Sequence, residues 1–446
     1  MIVFILLSGF VLRLIAINQS LWIDEATSAL VTRMSLVDLF GKFLPGDFHP
    51  PFYYLLLKFW SNLFGSSEVA LRSLSILFGL ATIYLVYKLG GRIAALLMAT
   101  SGLHIYYSQE ARMYAMSAFL VSLAIYLFTK ILHGKGRVGD WLGFSITLGL
   151  LGLTDYLPIL ILPVFWIYGI LSKQKVSWWK KFVVSHNILI ILGVLWLPIF
   201  VKQINSGFNV VATSPAWVLV LGPFSVKEIL LIPVKFMVGR VGFDNKILYG
   251  MVVSAVGLLY GFSFVKSFKS FVKLKLIYLW LFVPIILALI ISIKIPVLNY
   301  FRFLFVLPAF YLVAAYGIAN LSKNWRKVFV VLLIGVNLAT SGLYLFNKRF
   351  QREDWRGVAM ALDTNGAVVV FPTKSQQEAL KYYGKENRIV DVDVLGKGYK
   401  DIWLMRYAQP ISDPEDKTRV KIEDLGYKKV NELDFNGVVV WEYGKL

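Results

Sequence analysis

The sequence predicts a mainly α protein: a polytopic membrane helical bundle of about eleven transmembrane helices with a small C-terminal α/β soluble domain. Three observations carry this. Hydrophobic residues make up 58% of the 446 and charged residues only 16%, a balance foreign to a soluble domain of this size. Apolar runs long enough to cross a bilayer recur along the first three quarters of the chain. The short loops between alternate runs are rich in lysine and arginine.

The predicted spans lie near 1–18, 68–88, 93–107, 114–130, 141–154, 157–172, 183–201, 247–265, 276–293, 301–320 and 328–346. The first lacks a basic flank and a small-x-small cleavage site before Trp22, so it reads as a retained helix and not a signal peptide. Counting loops from a cytoplasmic N-terminus, one side receives Lys88, Arg92, Lys130, Lys135, Arg137, Lys173, Lys175, Lys180 and Lys181. Lys266, Lys269, Lys273, Lys275, Lys323, Arg326 and Lys327 fall on that side too, as the positive-inside rule expects of cytoplasmic loops. Nine acids fall on the other side: Asp24, Glu25, Asp38, Asp47, Glu68, Glu110, Asp155, Glu228 and Asp244. The expected location is therefore the cytoplasmic (inner) membrane, with the polar clusters facing outside.

Long outer connections run over about 19–67 and 202–246, and loops of that length in a compact protein usually carry function. Within the first, 36–40 and 51–60 read as interfacial helices. From 347 onward the pattern becomes that of a soluble α/β unit, with helices over 353–362 and 375–383 and strands over 367–371, 401–405 and 438–443. The division is thus 1–346, a membrane domain, and 347–446, an extracytoplasmic domain. The net charge of +20 belongs to the first part, which holds 29 Lys+Arg against 10 Asp+Glu; the second holds 17 against 16 and gives no nucleic-acid signal. The absence of cysteine excludes disulfides, thiolate nucleophiles and Cys-ligated metals.

Four polar clusters stand out. Trp22-Ile23-Asp24-Glu25 places two acids at a membrane edge, where each needs a partner or a task. His49-Pro50-Pro51 holds a histidine at a stiff helix entry. Tyr106-Tyr107-Ser108-Gln109-Glu110-Ala111-Arg112-Met113-Tyr114 packs charge and aromatic rings into one outer turn, with Glu110 and Arg112 a candidate ion pair. Lys294 and Asn299-Tyr300-Phe301-Arg302 set cations on the outer side, where they call for an anion such as a phosphate. Other matches fail. Gly134-Lys135-Gly136-Arg137-Val138-Gly139 fits a dinucleotide fingerprint but sits between membrane helices and reads as a tight turn, and histidines 49, 104, 133 and 186 lack metalloprotease spacing.

As a set, LWIDEATSAL (21–30), HPPFYYLLLKFW (49–60), SEVALRSLSILFG (67–79), HIYYSQEARMYA (104–115), NYFRFLFVLPAF (299–310) and REDWRGVA (352–359) resemble the GT-C glycosyltransferases. The resemblance is to the branch that holds protein O-mannosyltransferases and lipid A aminoarabinose transferases. It implies a polyprenyl-phosphate-linked sugar as donor, work on the outer face, and Asp24 as catalytic base with Glu25 its supporting neighbour. It further places His49, Glu110, Arg112, Tyr114, Lys294, Tyr300 and Arg302 around the donor phosphate and sugar. A divalent metal near Asp24, Glu25, His49 and Glu110 stays open, and the expected partners are membrane lipids, the lipid-linked donor and a protein, lipid or glycan acceptor. The competing reading is a lipid-linked sugar transporter or flippase, which would line a path through its spans with charge.

Overall fold

The computed structural model describes residues 1–132, 136–213 and 216–445. Most of the chain is helix. Six stretches are long and apolar enough to cross a membrane: Glu68–Thr100, Tyr114–Ile131, Val176–Ala212, Lys246–Ile291, Tyr300–Ala319 and Lys323–Phe346. Ile2–Leu14, Val138–Gly152 and Leu157–Leu171 are shorter apolar helices of the same bundle.

The eleven predicted segments all fall on these helices, with two differences in how they join. Segments 68–88 and 93–107 meet directly at Gly91, whose φ of +73° interrupts Glu68–Thr100. A residue without Cβ adopts that conformation freely, so the connection shrinks to the glycine pair 90–91. The second half then breaks at Ser101, which caps the separate helix Gly102–Ser108 by accepting the His104 N–H. Segments 247–265 and 276–293 lie in one stretch, interrupted only by the turn Phe268–Ser270. His133 and the start of the Gly134–Gly139 turn lie outside the described residues. Past it, the Asp140 carboxylate accepts the Arg137 N–H at the entry to Val138–Gly152.

Small residues set the closest approaches. A Cβ at Gly317 would stand 1.7 Å from the Ser263 carbonyl oxygen, so the helix Leu307–Ala319 touches Lys246–Ser267 backbone to backbone. Gly9 and Gly79 likewise leave room for Arg13, a buried guanidinium that donates to the carbonyls of Gly9 and Ala99 and lies 2.6 Å from His104 Nδ1.

The C-terminal residues form a sheet in the order β2-β1-β3-β5-β4, from β1 (Val368–Val370), β2 (Ile389–Val390), β3 (Asp401–Met405), β4 (Lys428–Phe435) and β5 (Val438–Gly444). The first three pair in parallel and the last three antiparallel. Strands β2 and β4 escape sequence reading for a shared reason: both are edges, and β4 is largely exposed, so neither needs the apolar alternation that marks a buried strand. The helix Trp355–Asn365 is capped by Asp354, whose carboxylate accepts the Gly357 N–H at 2.9 Å.

This unit is seated on one end of the bundle. Trp355, Val358, Trp403 and Met405 join the same buried cluster as Leu21, Ile23 and Tyr53. Polar contacts ring that seat: Arg356 meets Glu68 at 2.6 Å, the Tyr383 hydroxyl takes the Leu21 N–H at 2.9 Å, and Tyr382 donates to Ser66 O at 2.8 Å.

Gly317→Ala should destabilise the detergent-solubilised protein by about 1–3 kcal/mol, since the added methyl forces two helix backbones apart. Gly335→Ala, with nothing within 4 Å of its added carbon, serves as control and should leave the thermal unfolding temperature unchanged or slightly raised.

Candidate active site

The helix Ile23–Arg33 begins with the two acids, and helical periodicity turns successive residues about 100° apart. Asp24 therefore keeps part of its side chain exposed while Glu25 faces the protein interior. The consequence is a division of roles between neighbours that look alike in sequence.

Glu25 is fully buried and its carboxylate is saturated. Arg72 reaches Oε1 through Nε at 2.8 Å and Oε2 through a terminal nitrogen at 2.5 Å. Arg352 donates from Nε to Oε2 at 3.0 Å, and the Ala111 N–H donates to Oε1 at 2.8 Å. Burial alone would raise this carboxyl, but the two guanidiniums override it and hold Glu25 below the ordinary glutamate range. Arg72 spends its remaining donors on the carbonyls of Ile17, Gln19 and Ser20. Four segments distant in sequence, around residues 17–25, 72, 111 and 352, are thereby fixed to one carboxylate.

Glu110 is the second buried acid of this network. Its Oε2 accepts from Arg352 at 3.1 Å, whereas Oε1 has no partner among the described residues. Burial pushes its carboxyl up to about 7, against the pull of Arg352 and with the help of negative Glu25. The expected pairing of Glu110 with Arg112 does not form; Glu110 pairs with Arg352, and Arg112 turns to the other side of the turn.

On that other side Arg112 stands behind Asp24, with a terminal nitrogen 3.9 Å from Oδ2. It donates to the Tyr54 hydroxyl at 3.1 Å and lies 3.4 Å from His49 Nδ1. Tyr54 in turn donates to Asp47 at 2.9 Å. The His-Pro-Pro loop is held by Gln203, which donates to the carbonyls of Leu44 and His49, and by the Phe52 N–H on Leu153 O. Asp24 keeps 43% of its side chain exposed, so its contact with Arg112 is loose and its oxygens stay available.

The remaining predicted residues divide. Tyr114 is buried edge-on between Tyr107 (5.4 Å) and Phe301 (5.2 Å), and Arg302 lies within electrostatic reach of both Tyr114 and Asp155. Tyr300 lies edge-on to Phe301 at 5.9 Å. Lys294 is exposed, and it forms no ion pair among the described residues. As for a metal, no three His, Cys, Asp or Glu side chains among the described residues are grouped to hold one. Glu25 and Glu110 are instead committed to arginine.

Four site residues escaped the sequence reading as individuals. Arg72 and Arg352 lay inside the segments that carry the resemblance, and the need of buried acids for cations was the signal for them. Tyr54 carried no signal beyond its place after His-Pro-Pro. Arg240 follows the helix Val226–Val238 and stacks over the Tyr106 ring at 4.2 Å, the same ring that Arg352 covers at 4.2 Å. Its side chain is exposed, Tyr107 and Tyr300 lie within electrostatic reach of it, and it makes no ion pair among the described residues. It was hidden among several cations of the same long connection.

Residues 48–201 match the family model described as dolichyl-phosphate-mannose-protein mannosyltransferase. Among solved structures, the chain is similar to ArnT from Cupriavidus metallidurans bound to undecaprenyl phosphate, at 15% identity and a TM-score of 0.55, over 98% of this chain and 96% of that one. It is also similar to the archaeal oligosaccharyltransferase AglB from Archaeoglobus fulgidus in complex with an inhibitory peptide and a dolichol-phosphate. That match has 12% identity and a TM-score of 0.54, and covers 99% and 73% of the two chains. No curated protein matches in sequence. The chain has the GT-C glycosyltransferase fold that its segments led one to expect.

Arg352→Ala leaves Glu25 with one guanidinium and Glu110 with none, and should cost about 3–5 kcal/mol of stability in thermal or denaturant unfolding. The two acids also set opposite pH slopes. Unfolded Glu110 loses its proton near 4.5 and folded Glu110 keeps it to about 7, so its stabilising share, full below 4.5, is lost as pH rises across that window. Glu25, depressed, contributes above its ordinary value and loses its share as pH falls. Glu110→Gln should therefore flatten the fall in unfolding temperature between about pH 4.5 and 7.

Proposed function

We propose that this chain of GT-C fold transfers a sugar from a polyprenyl-phosphate donor to an acceptor hydroxyl at the non-cytoplasmic edge of the membrane, with Asp24 as general base. The observation that carries the reading is the setting of Asp24: a half-exposed carboxylate loosely held by the buried Arg112, with Arg302 in electrostatic reach of the same Tyr114 that Asp24 reaches.

The chemistry uses what each group can do. The acceptor hydroxyl attacks the anomeric carbon and gives its proton to an Asp24 oxygen. The new oxygen–carbon bond forms as the bond from carbon to phosphate oxygen breaks, and the electron pair leaves on the polyprenyl phosphate. One displacement inverts the anomeric centre. The leaving group is already anionic and needs positive charge more than a proton, which Arg240 and Arg302 supply, with the Tyr300 hydroxyl as a hydrogen donor. Arg112 and His49 hold Asp24 and the first loop in place. The donor enters laterally from the bilayer, consistent with the apolar residues exposed on Phe52–Phe64, among them Phe59, Leu63 and Phe64. In this reading residues 1–346 carry the chemistry, residues 347–446 close the cleft from outside, and the basic loops mark the cytoplasmic side of the inner membrane.

Asp24→Asn in purified protein should lower sugar transfer from polyprenyl-phosphate hexoses or pentoses by about 10²–10⁴-fold with an unchanged unfolding temperature. Wild-type turnover in that variant would remove Asp24 as base. Arg240→Ala and Arg302→Ala should each raise the donor KM by about tenfold or more, the loss of one charge-assisted contact. An unchanged donor KM in either removes that arginine from the phosphate site.

A further inference from the structure

Around Asp24 the first part of the chain contributes the cation Arg112, with Arg302 in reach of the same Tyr114, and the C-terminal unit contributes Glu378 and Tyr407. The short helix Glu378–Tyr382 packs on Ile23–Arg33, the helix that carries Asp24, and Arg33 covers the Tyr382 ring at 5.5 Å. This contact brings Glu378 within electrostatic reach of Asp24. Tyr407, immediately beyond β3, is also within reach of Asp24, and its hydroxyl donates to Glu353 at 3.3 Å. Tyr407 leans edge-on against Trp355 at 5.4 Å, and its carbonyl takes a hydrogen bond from the Gln376 amide at 3.0 Å.

Two enclosed oxygens here have no hydrogen-bond partner among the described residues: Oε2 of Glu378 and Oε1 of Gln376, a residue only 3% exposed. Enclosed oxygens without donors are costly unless a bound molecule supplies the hydrogens. Lys381, on the same helix, is within reach of Glu378, while Asp24 lies within reach of both Glu378 and Tyr407, and Glu353 within reach of Tyr407. Such a surface attracts hydroxyl and amine hydrogens and repels phosphate. The Tyr407 ring adds a face suited to the apolar side of a sugar.

We propose that the wall formed by Gln376, Glu378 and Tyr407 is the acceptor subsite, and that it takes a hydroxyl-rich carbohydrate bearing no phosphate near the reacting hydroxyl. This rests on the transferase reading above and names its second substrate. Charge segregation then orients the reaction: lipid phosphate lies against the membrane-side arginines, and the incoming glycan lies against the acids of the C-terminal unit, with Asp24 between them.

The test uses the full-length protein in nanodiscs with a panel of polyprenyl-phosphate sugars. Neutral methyl glycosides, the corresponding sugar phosphates and a serine- and threonine-containing peptide are supplied as acceptors, and donor consumption and product are followed separately. The neutral glycosides should be glycosylated in preference to both others. Glu378→Gln and, independently, Tyr407→Phe should raise the acceptor KM by about tenfold while the donor KM stays within about twofold. Preferential transfer to the sugar phosphates or the peptide, or an acceptor KM unmoved in both variants, overturns the proposal. Failure of the wild type to consume any donor, even with water as acceptor, instead overturns the transferase reading on which it stands.

Discussion

One buried carboxylate organises this end of the molecule. Glu25 accepts four hydrogen bonds, from Arg72, Arg352 and the Ala111 N–H, and so ties three distant segments to one carboxylate. An ion taken out of water is stable only when its partners are complete, so the arrangement is all or nothing. With it in place, the first loop, the turn at 109–113 and the approach to the C-terminal unit share one geometry. Arg352 extends the same logic to Glu110 and stacks on Tyr106, the ring that Arg240 also covers.

The free acid depends on the locked one. Because Asp24 and Glu25 are adjacent on a helix, anchoring Glu25 fixes the direction in which Asp24 points, and Arg112 needs to add only a loose contact at 3.9 Å. The strong pairing goes to the neighbour, and Asp24 keeps 43% of its side chain exposed. The C-terminal unit is part of this design, since Arg352, Arg356, Tyr382 and Tyr383 bind it to the first loop and bring Tyr407 and Glu378 towards Asp24.

Much of this was legible in the residues. Apolar length and loop charge gave the bundle, because the bilayer demands both, and the central strands β1, β3 and β5 showed the apolar character of burial. The edge strands β2 and β4 did not, as edges face solvent. The acid pair, His49, Arg112 and Arg302 stood out as candidates because charge near a membrane interface is costly without a reason, and the structure sets Arg112 against Asp24 and His49. What could not be read was pairing. Composition shows that Glu25, Glu110, Arg72, Arg112 and Arg352 are present, but only the packing of helices decides that Glu110 joins Arg352 and not its near neighbour Arg112. Arg240 stayed hidden for a related reason: in a long connection with several cations, sequence carries no sign of which one lies over the Tyr106 ring. Lys294 illustrates the reverse, a cation with the expected position but no place in the cluster.

In the proposed reaction, Asp24 and the arginines Arg240 and Arg302 meet one substrate. An electron cryomicroscopy structure of the protein in nanodiscs with a non-hydrolysable polyprenyl-phosphonate sugar measures this directly. The account predicts phosphonate oxygens within hydrogen-bond distance of Arg240 or Arg302 and the anomeric carbon turned towards an Asp24 oxygen. A head group bound at the lysine-rich loops, or a sugar in the cleft with Asp24 directed away from it, would contradict the account.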